Sequence, residues 1–160
     1  MTLRPVNDGD GTLIENLYNL YRNDLSDYCP DFRYLDSEGY FDKGIADEVL
    51  PFGGGVETYI IEDFGCPAGL VMVTDSSYAL EGCDYCIQEM YLIRPARHKG
   101  LGTEVIKRLL SEKPGKWCLS VYRRNVPAKI FWEKTIRENA VLVYSVPGQD
   151  DMIDMVFHTK

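Results

Sequence analysis

The sequence predicts an α/β (α+β) fold in a single domain, with the element order β-α-α-β-β-β-α-β-α-β-β. One observation is the length, because 160 residues suit one domain and can bury a proper core. A second is that β-rich apolar runs alternate with segments of helical periodicity. The third is a strand–turn–helix block at Ile87–Leu110, which contains a basic turn with two glycines. The chain has no internal repeats, so residues 1–160 are expected to form one unit.

The N-terminal segment is predicted to form an edge strand and then a long helix. Met1–Val6 is a short run of alternating residues that ends in a cluster of turn-forming residues. Thr12 and Glu15 have the spacing of a capping box, which indicates that a helix begins there. Apolar residues then recur at helical spacing to about Tyr28, and Pro30 forbids continuation of the helix.

The rest of the chain is predicted to contain one more helix before the main run of strands, and then strands that alternate with helices. The helix that precedes these strands lies within Phe32–Phe52 and could be capped by Asp36 or Ser37. The remaining predicted elements are strands Val56–Glu62, Ala68–Asp75 and Cys86–Ile93, helix Gly102–Glu112, strand Trp117–Tyr122, helix Asn125–Arg137, and strands Asn139–Val146 and Met152–Thr159.

The charge of the chain is divided unevenly. The net charge is −8, which argues against nucleic acid as a partner. Residues 94–134 nevertheless hold eleven Lys and Arg against three acidic residues, a segment charge of +8. The other 119 residues hold six basic and 22 acidic side chains, so they carry −16. This distribution favours a polyanionic ligand at the basic segment and a cationic ligand at the acidic remainder.

Cysteine usage and hydropathy argue against several other classes of protein. The five cysteines are an odd number, and Cys83 and Cys86 form a lone C-x-x-C pattern without a second pair of ligands. We therefore expect ordinary reduced thiols and no metal site. No apolar run reaches the roughly 20 residues that a membrane helix needs. Met1–Pro5 does not start a signal peptide, so we expect no membrane partner and a cytoplasmic location.

The basic turn inside Ile87–Leu110 is the candidate binding site. It reads Arg-His-Lys-Gly-Leu-Gly over Arg97–Gly102, between an apolar strand and an amphipathic helix. The first turn of a helix has backbone N–H groups without partners, and the helix dipole favours negative charge there. Gly100 and Gly102 let an anionic group approach the backbone without a Cβ in the way. The block therefore predicts an anion site, although it has neither of the common glycine patterns for ATP or NAD.

This block resembles the acetyl-CoA-binding motif of the GCN5-related N-acetyltransferases, the GNAT family. The family's turn follows the pattern Gln/Arg-x-x-Gly-x-Gly/Ala, which Arg97, Gly100 and Gly102 match position for position. Met90–Pro95 resembles the family's fourth strand, and the predicted element order is the family's topology across essentially the whole chain. The resemblance implies the GNAT fold, a mixed six- to seven-stranded sheet flanked by about four helices. It also implies acetyl-CoA (coenzyme A) as acyl donor, and no metal.

The resemblance further implies which residues hold coenzyme A. The turn would bind the pyrophosphate, and backbone groups of the fourth strand would hold the pantetheine arm. A second family motif after the fifth strand, with an Asn, an Ala, an aromatic pair and Glu-Lys, is matched within residues 125–134. The implied cofactor-binding residues are Tyr91, Leu92, Ile93, Arg97, His98, Lys99, Gly100, Leu101, Gly102, Thr103, Asn125, Ala128 and Lys129.

Glu89 is the candidate general base, and the general acid is open. An acceptor amine of pKa near 10.4 is deprotonated in only roughly one molecule in a few thousand at pH 7, so a positioned carboxylate can accelerate the reaction. By the resemblance, Glu89 stands where several family members carry a catalytic Glu; a solvated or paired Glu is the alternative. Trp132 replaces a Tyr that serves as acid in many members, and indole N–H has no useful acidity. Tyr122 is a candidate substitute.

The acceptor and the assembly are left open. In the family, helices before the sheet cover the acceptor site, so aromatic residues of that region either wall an acceptor pocket or belong to the core. These candidates are Tyr28, Tyr34, Tyr40 and Phe41. The leading hypothesis is acetyl transfer to a cationic primary amine, either a small molecule or a peptide. The alternative is a non-catalytic acyl-CoA-binding or sensing domain on the same fold. A homodimer is also open, since the C-terminal strand of this fold often takes part in dimers.

Overall fold

The computed structural model describes residues 1–41, 44, 46, 53–149 and 151–160. Its strands are β1 (Thr2–Pro5), β2 (Val56–Asp63), β3 (Cys66–Asp75), β4 (Tyr85–Leu92), β5 (Lys116–Tyr122), β6 (Ala140–Pro147) and β7 (Met152–Thr159). The α-helices in this range are α1 (Gly11–Leu25), α2 (Leu101–Glu112) and α3 (Val126–Asn139), with short 3-10 helices at Asp8–Asp10 and Arg94–Ala96. The strands form one sheet in the order β1-β2-β3-β4-β5-β7-β6. The sheet is mixed, because β4 and β5 are parallel and the other described pairs are antiparallel.

The seven predicted strands and three of the predicted helices are confirmed. Each strand begins and ends within two residues of its predicted bounds, as do α2 and α3. The first helix stops at Leu25, three residues before its predicted end at Tyr28. There the chain closes in a turn, since the N–H groups of Tyr28 and Cys29 both donate to the carbonyl of Leu25.

The predicted second helix within Phe32–Phe52 lies largely outside the described residues. Its expected start is described and is not helical. The Asp36 Oδ1 atom accepts hydrogen bonds from the backbone N–H groups of Glu38 at 2.8 Å and Tyr40 at 2.9 Å. The expectation that Asp36 or Ser37 caps a helix at this point is therefore wrong, because the Asp36 side chain closes a local turn instead.

The start of α1 also differs from the predicted capping box at Thr12 and Glu15. The helix begins at Gly11, and a capping box occurs one turn earlier, in the short 3-10 helix. The Glu15 Oε1 atom instead accepts hydrogen bonds from the backbone N–H groups of Gly44 at 3.0 Å and Ala46 at 3.2 Å. The carboxylate thus ties a later part of the chain to α1, a contact that local spacing does not reveal.

Helices cover the sheet on both faces. α2 and α3 pack on one face, where Val105, Ile106, Trp132 and Ile136 are buried in the larger core cluster. α1 packs on the other face, where Ile14 is fully buried in a second cluster. The apolar stripe of each helix therefore faces the sheet, as helical periodicity predicts.

A β-bulge in β4 determines which face its side chains occupy. Consecutive residues of β3 pair with Glu89 and Ile87, so Gln88 has no partner in β3. Ile87 consequently packs with the cluster under α2 and α3. Glu89 and Tyr91 both lie on the face that α1 covers. The prediction that Glu89 shares a face with Tyr91 is confirmed.

β4 and β5 separate along most of their length. They pair in parallel at only two positions, Tyr85 with Trp117 and Cys86 with Cys118, although both strands continue well beyond. The unpaired ends leave a cleft in the middle of the sheet. This cleft opens next to the turn that connects β4 to α2.

Three cysteines lie at the paired end of these strands. Cys83, Cys86 and Cys118 are buried together with Val156, and all five cysteines of the chain are free thiols. Within the described ranges, no group of three or more His, Cys, Asp or Glu side chains is arranged to hold a metal ion. No helix in the described part of the chain has the length and apolar character to span a membrane.

Candidate functional site

The turn between β4 and α2 contains six consecutive backbone amides that have no acceptor in the described part of the chain. Among the residues that the structure describes, none accepts a hydrogen bond from the N–H groups of residues 98–103. His98 and Gly100 adopt left-handed conformations, with φ of +61° and +83°, and α2 begins directly afterwards at Leu101. Left-handed residues in such a turn are typical of backbone nests that bind anions. The turn therefore offers the donors that a phosphate group requires.

Glycine is favoured at the two positions of the motif for different structural reasons. A Cβ on Gly100 would meet no atom within 4 Å, so its left-handed φ is what favours glycine there. A Cβ on Gly102 would lie 3.1 Å from the ring of Phe131 and 3.4 Å from Cε of Met90. Gly102 thus allows α2 to approach α3 closely, while Gly100 shapes the turn and leaves the space outside it open.

Asp24, near the end of α1, holds the turn through two arginines. Its carboxylate accepts hydrogen bonds from Arg97 Nη2 at 2.5 Å and Arg94 Nη2 at 2.7 Å. Arg97 Nε also donates to the carbonyl of Leu92 at 2.7 Å, and its guanidinium carbon lies 5.3 Å from the ring centre of Tyr91. Burial by itself would raise the pKa of Asp24, but the hydrogen bonds from Arg97 and Arg94 outweigh it and lower the pKa. The ionised carboxylate therefore offsets much of the positive charge that the sequence assigns to Arg97.

The other predicted residues of the turn differ in what they can offer a ligand. His98 and Lys99 are exposed, whereas Leu101 is buried in the core, so that only its backbone can take part. Thr103 Oγ1 lies 3.4 Å from Thr135 Oγ1, a contact that ties the start of α2 to α3. Lys99 forms no ion pair with any residue in the described ranges. It is the basic side chain of the turn that can meet a phosphate without giving up a partner.

The residues predicted from the second motif lie at the start of α3. The Oδ1 atom of Asn125 accepts a hydrogen bond from the N–H of Ala128 at 3.2 Å, so Asn125 caps α3 as predicted. Ala128 is half-buried and packs against the larger core cluster. Lys129 Nζ lies 3.8 Å from Glu133 Oε1, one helical turn on, which leaves the ammonium group near the surface.

The backbone of β4 is partly engaged where the resemblance implies contacts to the pantetheine arm. The N–H of Ile93 donates to the carbonyl of Ala68 at 2.9 Å, and the carbonyl of Leu92 accepts from Arg97. Tyr91 is buried, and its ring lies 5.4 Å from the ring of Tyr21, centre to centre. Beyond its two pairs with β5, the other edge of β4 faces the cleft.

Glu89 lies on β4 and is half-buried beneath α1. The hydroxyl of Tyr21 donates a hydrogen bond to Glu89 Oε2 at 2.6 Å. Burial raises the pKa of Glu89 by more than the Tyr21 hydrogen bond and the charge of Arg22 lower it. Burial and the charge of Glu89 in turn raise the pKa of Tyr21 well above its ordinary value. A carboxylate whose pKa is shifted toward neutrality is suited to accept a proton as a general base.

Tyr122, at the end of β5, lies near enough to Glu89 to feel its charge. Burial raises the pKa of Tyr122, and a hydrogen bond with Cys29 and the charge of Glu89 raise it further. Tyr122 is therefore protonated at neutral pH and is a weaker acid than an ordinary tyrosine. Trp132 is buried in the core under α3, with its ring 4.9 Å from that of Phe131, and is a packing residue.

A groove of about 340 Å³ lies between α1 and the end of β4, beside the turn. Asp24 and Arg94 give it a polar wall, and Leu20 and Ile93 give it an apolar one. Tyr91 on β4 also lines the groove, and its ring packs against that of Tyr21.

The four aromatic residues predicted for an acceptor pocket differ in exposure and in their contacts. Tyr34 is 85 % exposed. Phe41 packs edge-on against another phenylalanine of its own segment, with ring centres 6.5 Å apart, and Tyr40 is half-buried. The carbonyl of Tyr28 accepts a hydrogen bond at 3.4 Å from an arginine of the β5–α3 connection. Tyr28 thus lies on the side of β5, and Tyr34 lies at the surface.

Sequence reasoning missed two residues that shape this site. Tyr21 binds the candidate base, and Asp24 binds both arginines beside the turn. Both come from α1, 68 to 73 positions before their partners. Tyr21 fits the apolar stripe of α1, and Asp24 looks like an ordinary solvated acid, so neither has a local pattern that indicates its role.

The comparisons with known proteins give matches at the level of structure. No model of a known protein family matches the sequence, and no curated protein matches it either. An acetyltransferase from Thermus thermophilus is similar with a TM-score of 0.71 and 17 % identity, over 97 % of this chain and 94 % of that one. A GNAT-family protein from Bacteroides thetaiotaomicron has a TM-score of 0.62 and 20 % identity, over 100 % of this chain and 88 % of that one.

A third similar structure is a variant of the spermidine N-acetyltransferase SpeG from Vibrio cholerae. Its TM-score is 0.63 and its identity 16 %, over 99 % of this chain and 95 % of that one. The matches span nearly the full length of both chains in each case. The chain therefore has the GNAT fold, as the resemblance of its turn implied.

Proposed function

We propose that this chain is an acetyl-CoA-dependent N-acetyltransferase that moves an acetyl group directly from the thioester to a primary amine. The observation that carries the proposal is the turn at residues 98–103, whose six backbone amides have no acceptor among the residues described and lie beside the β4–β5 cleft. The GNAT fold around it, together with Glu89 on β4, the strand that borders the cleft, supports a transferase more than a simple anion site.

The residues present fit coenzyme A. The free amides of residues 98–103 and the ammonium group of Lys99 would receive the pyrophosphate, and the open space outside Gly100 leaves room for it. The unpaired edge of β4 and the side-chain amide of Asn125 would hold the pantetheine arm. Lys129 would reach a phosphate at the surface. Once bound, acetyl-CoA supplies an acetyl group already activated as a thioester.

Glu89 would act as the general base for the acceptor amine. It takes a proton from the ammonium form of the acceptor, directly or through one water, so that the nitrogen lone pair can attack the acetyl carbon. The new C–N bond would form as the C–S bond breaks, the electron pair would leave with the sulfur, and the excess proton on the nitrogen would pass to the thiolate or to solvent. A thiol has a pKa near 8.5, so the sulfur can leave as thiolate and needs little help from an acid. Tyr122 is protonated and can donate a hydrogen bond to it.

The acceptor is proposed to be a cationic primary amine. Outside residues 94–134 the chain carries −16, which attracts cations and repels anionic acceptors. A spermidine N-acetyltransferase shares the fold, so polyamines belong in the first set of candidates. Amino-acid derivatives, aminoglycoside-like compounds and basic peptide N-termini complete that set.

The second candidate function is a non-catalytic acyl-CoA-binding domain, and one observation favours it. Trp132 is buried as a packing residue, and the raised pKa of Tyr122 makes it a weak acid. An assay of free-thiol release from acetyl-CoA, with a panel of cationic, neutral and anionic amines, distinguishes the two functions. We expect turnover with at least one cationic amine. Tight binding of acetyl-CoA without thiol release for any amine would support the binding domain instead.

The cofactor site is tested with a pair of glycine variants. Gly100→Asp adds bulk and negative charge at the turn, and Gly65→Asp makes the same change at a hairpin glycine with a similar φ of +77° and equally open space. Both variants carry the same backbone strain, so their stabilities should fall alike. Only Gly100→Asp should lose acetyl-CoA binding, measured by calorimetry. Equal affinity in both variants would show that the turn is not the site.

The nature of the nucleotide is tested by thermal shift. A ligand that binds the folded state raises the melting temperature by mass action. We expect acetyl-CoA to raise it more than ATP or NAD does at the same concentration, and a larger shift with ATP would contradict the proposal.

A further inference from the structure

On the side of α1, the C-terminal half of the sheet has an open face. Ser120 is exposed although it lies on β5, a strand with neighbours on both sides. The residues before and after it, Leu119 and Val121, belong to the core under α2 and α3, so Ser120 points to the opposite face. The core cluster of α1 on that face contains described residues of β2, β3 and β4, and none of β5 or β7.

Asp154 of β7 lies on this open face beside Ser120. The two residues are register partners, and cross-strand partners of an antiparallel pair point to the same face. Ser120 Oγ donates a hydrogen bond to Asp154 Oδ1 at 2.6 Å. This bond fixes the orientation of the carboxyl group, and the side chain of Asp154 remains partly exposed.

The charge of Asp154 is not balanced by a cation in the described part of the chain. Asp151, three positions earlier in the same hairpin, provides a contrast, because its carboxylate lies 3.2 Å from Arg123 Nε and 3.5 Å from Arg124 Nε. Asp154 has only the neutral hydroxyl of Ser120 as its partner among the residues described. A carboxylate of this kind on an open face attracts a cation from solution.

Asp154 and the candidate base Glu89 lie on the same face, with β5 between their strands. Tyr122, two residues after Ser120 on β5, lies near enough to Glu89 to feel its charge. Neighbouring strands are about 4.8 Å apart, so Glu89 and Asp154 stand on the order of 10 Å apart. The cleft that separates β4 from β5 borders this face. An acceptor whose amine reaches Glu89 can therefore extend across β5 toward Asp154.

We propose that Asp154 binds a second cationic group of the acceptor, on the order of 10 Å from the amine that is acetylated. The inference rests on the proposed acetyltransferase function and deepens it, since the net charge of the chain favours a cationic acceptor without specifying a second charge or where it binds. Asp154 would thus determine specificity, whereas Glu89 would act on the reacting amine.

The surroundings of Asp154 favour an ammonium group on an aliphatic chain. Asp154 pairs with Val146 of β6 on its outer side, and the next pair on the same face is Val156 with Tyr144. Val146 and Tyr144 are 42 % and 39 % exposed, so apolar side chains flank the carboxylate. Methylene groups can pack on such a surface while the charged end meets the carboxylate. Free diamines and polyamines have this chemistry, and so does a lysine side chain near the N-terminus of a peptide.

The experiment measures thiol release at saturating acetyl-CoA with two sets of acceptors. One set pairs unbranched diamines with monoamines of the same chain length, from three to twelve carbons. The other set pairs short peptides whose third residue is either lysine or glutamine. The proteins are the wild type and three variants, each checked for folding by circular dichroism and melting temperature.

The variants separate a local contact from a general effect of charge. Asp154→Asn removes the charge and keeps an oxygen that can accept the hydrogen bond from Ser120. Asp63→Asn makes the same change at another partly exposed acid, at the end of β2 and three strands away from β5. Asp154→Lys reverses the charge, and it is also assayed with acceptors that carry a carboxylate at the far end.

We expect the wild type to prefer diamines of one range of lengths over the matched monoamines, or the lysine peptide over the glutamine peptide. The preferred set identifies the source of the second cation. This preference in kcat/KM should fall at least about tenfold in Asp154→Asn, because a hydrogen bond to a charged group is lost. The loss should appear in KM, since the distant group binds equally in the ground state and the transition state. Asp63→Asn should retain the preference, and Asp154→Lys should favour the acceptors with a distal carboxylate.

Three results would overturn the proposal while the acetyltransferase function stands. They are turnover without preference in either set, a preference that Asp154→Asn retains, and a loss that is as large in Asp63→Asn. Absence of thiol release with every amine would instead overturn the acetyltransferase function, and the role of Asp154 with it.

Discussion

Removing the hydroxyl of Tyr21 should shift the pH dependence of the reaction. Tyr21 donates to Glu89 Oε2 at 2.6 Å, and this hydrogen bond stabilises the ionised carboxylate. It opposes burial, which raises the pKa of Glu89. In Tyr21→Phe the burial remains and the hydrogen bond is lost. The pKa of Glu89 should therefore rise further, and the base should reach its active, ionised form only at higher pH.

The size of the shift follows from the strength of the bond. A hydrogen bond to a charged group contributes about 1.5–3 kcal/mol. A factor of ten in an ionisation equilibrium corresponds to 1.36 kcal/mol, so loss of the bond should raise the pKa of Glu89 and lower its ionised fraction in acid by about 10- to 100-fold. At a pH well below the shifted pKa, the rate should fall about 10- to 100-fold, and at high pH it should recover toward that of the wild type.

The assay is kcat/KM for the acceptor from thiol release at saturating acetyl-CoA, measured from acid to alkaline pH. The ratio of variant to wild type at each pH cancels the ionisation of the acceptor amine. Tyr59→Phe is the matched control, because Tyr59 donates to Glu57 Oε2 at 2.7 Å on the other face of the sheet. The control should leave the profile unchanged. A uniform loss of rate at all pH values, or an acidic limb that does not move upward, would refute a role of Tyr21 through the ionisation of Glu89.

Three further predictions concern the stability of the site. The pKa of Glu89 in the folded state lies above its ordinary 4.5, so the wild type loses stability as the pH rises from 4.5 to the folded-state pKa. Glu89→Gln should therefore unfold at higher denaturant concentration than the wild type at pH 8 but not at pH 4, and its turnover should be depressed. Asp24→Asn leaves the partly buried Arg97 without its charged partner and should lower the free energy of unfolding by about 1–3 kcal/mol at pH 7. This difference from the wild type should shrink in acid, because Asp24 of the wild type is then protonated. A difference that does not change with pH would contradict the ion pair. Gly100→Ala should cost about 1–2 kcal/mol in urea unfolding because of its left-handed φ, and Gly100→Asn should cost less; equal costs would argue against backbone strain.

Much of the fold follows from the sequence alone. The strands alternate or run apolar over four to ten residues and end at turn-forming residues, and α2 and α3 carry one-sided apolar stripes. These patterns are local, so the residues within each segment are sufficient to determine whether it forms a strand or a helix. The predicted capping box and the other predicted caps were correct only in part. Asn125 caps α3, but Asp36 and Glu15 use their carboxylates in other contacts, since a cap competes with every other donor within reach.

The conformation of the candidate anion-binding turn could also be predicted from the sequence, because it depends on the backbone. Gly100 has a left-handed φ, and no described residue accepts a hydrogen bond from the amides of residues 98–103, of which 101–103 belong to the first turn of α2. The pairing of the positive charge at the turn with an acid could not be predicted. The sequence assigns Arg97 to the ligand, whereas in the structure an acid from α1 already holds its guanidinium group.

Tertiary structure alone determines the surroundings of the candidate base. The bulge at Gln88 places Glu89 beneath α1, and the fold brings Tyr21 to it from 68 positions away. The pKa of a carboxyl group depends on burial and on neighbours within a few ångströms, and both arise when distant segments pack together. The sequence by itself therefore determined which elements form and where the candidate anion-binding turn lies. Only the packing of α1 against the sheet decided that Tyr21 and Arg22 lie beside Glu89.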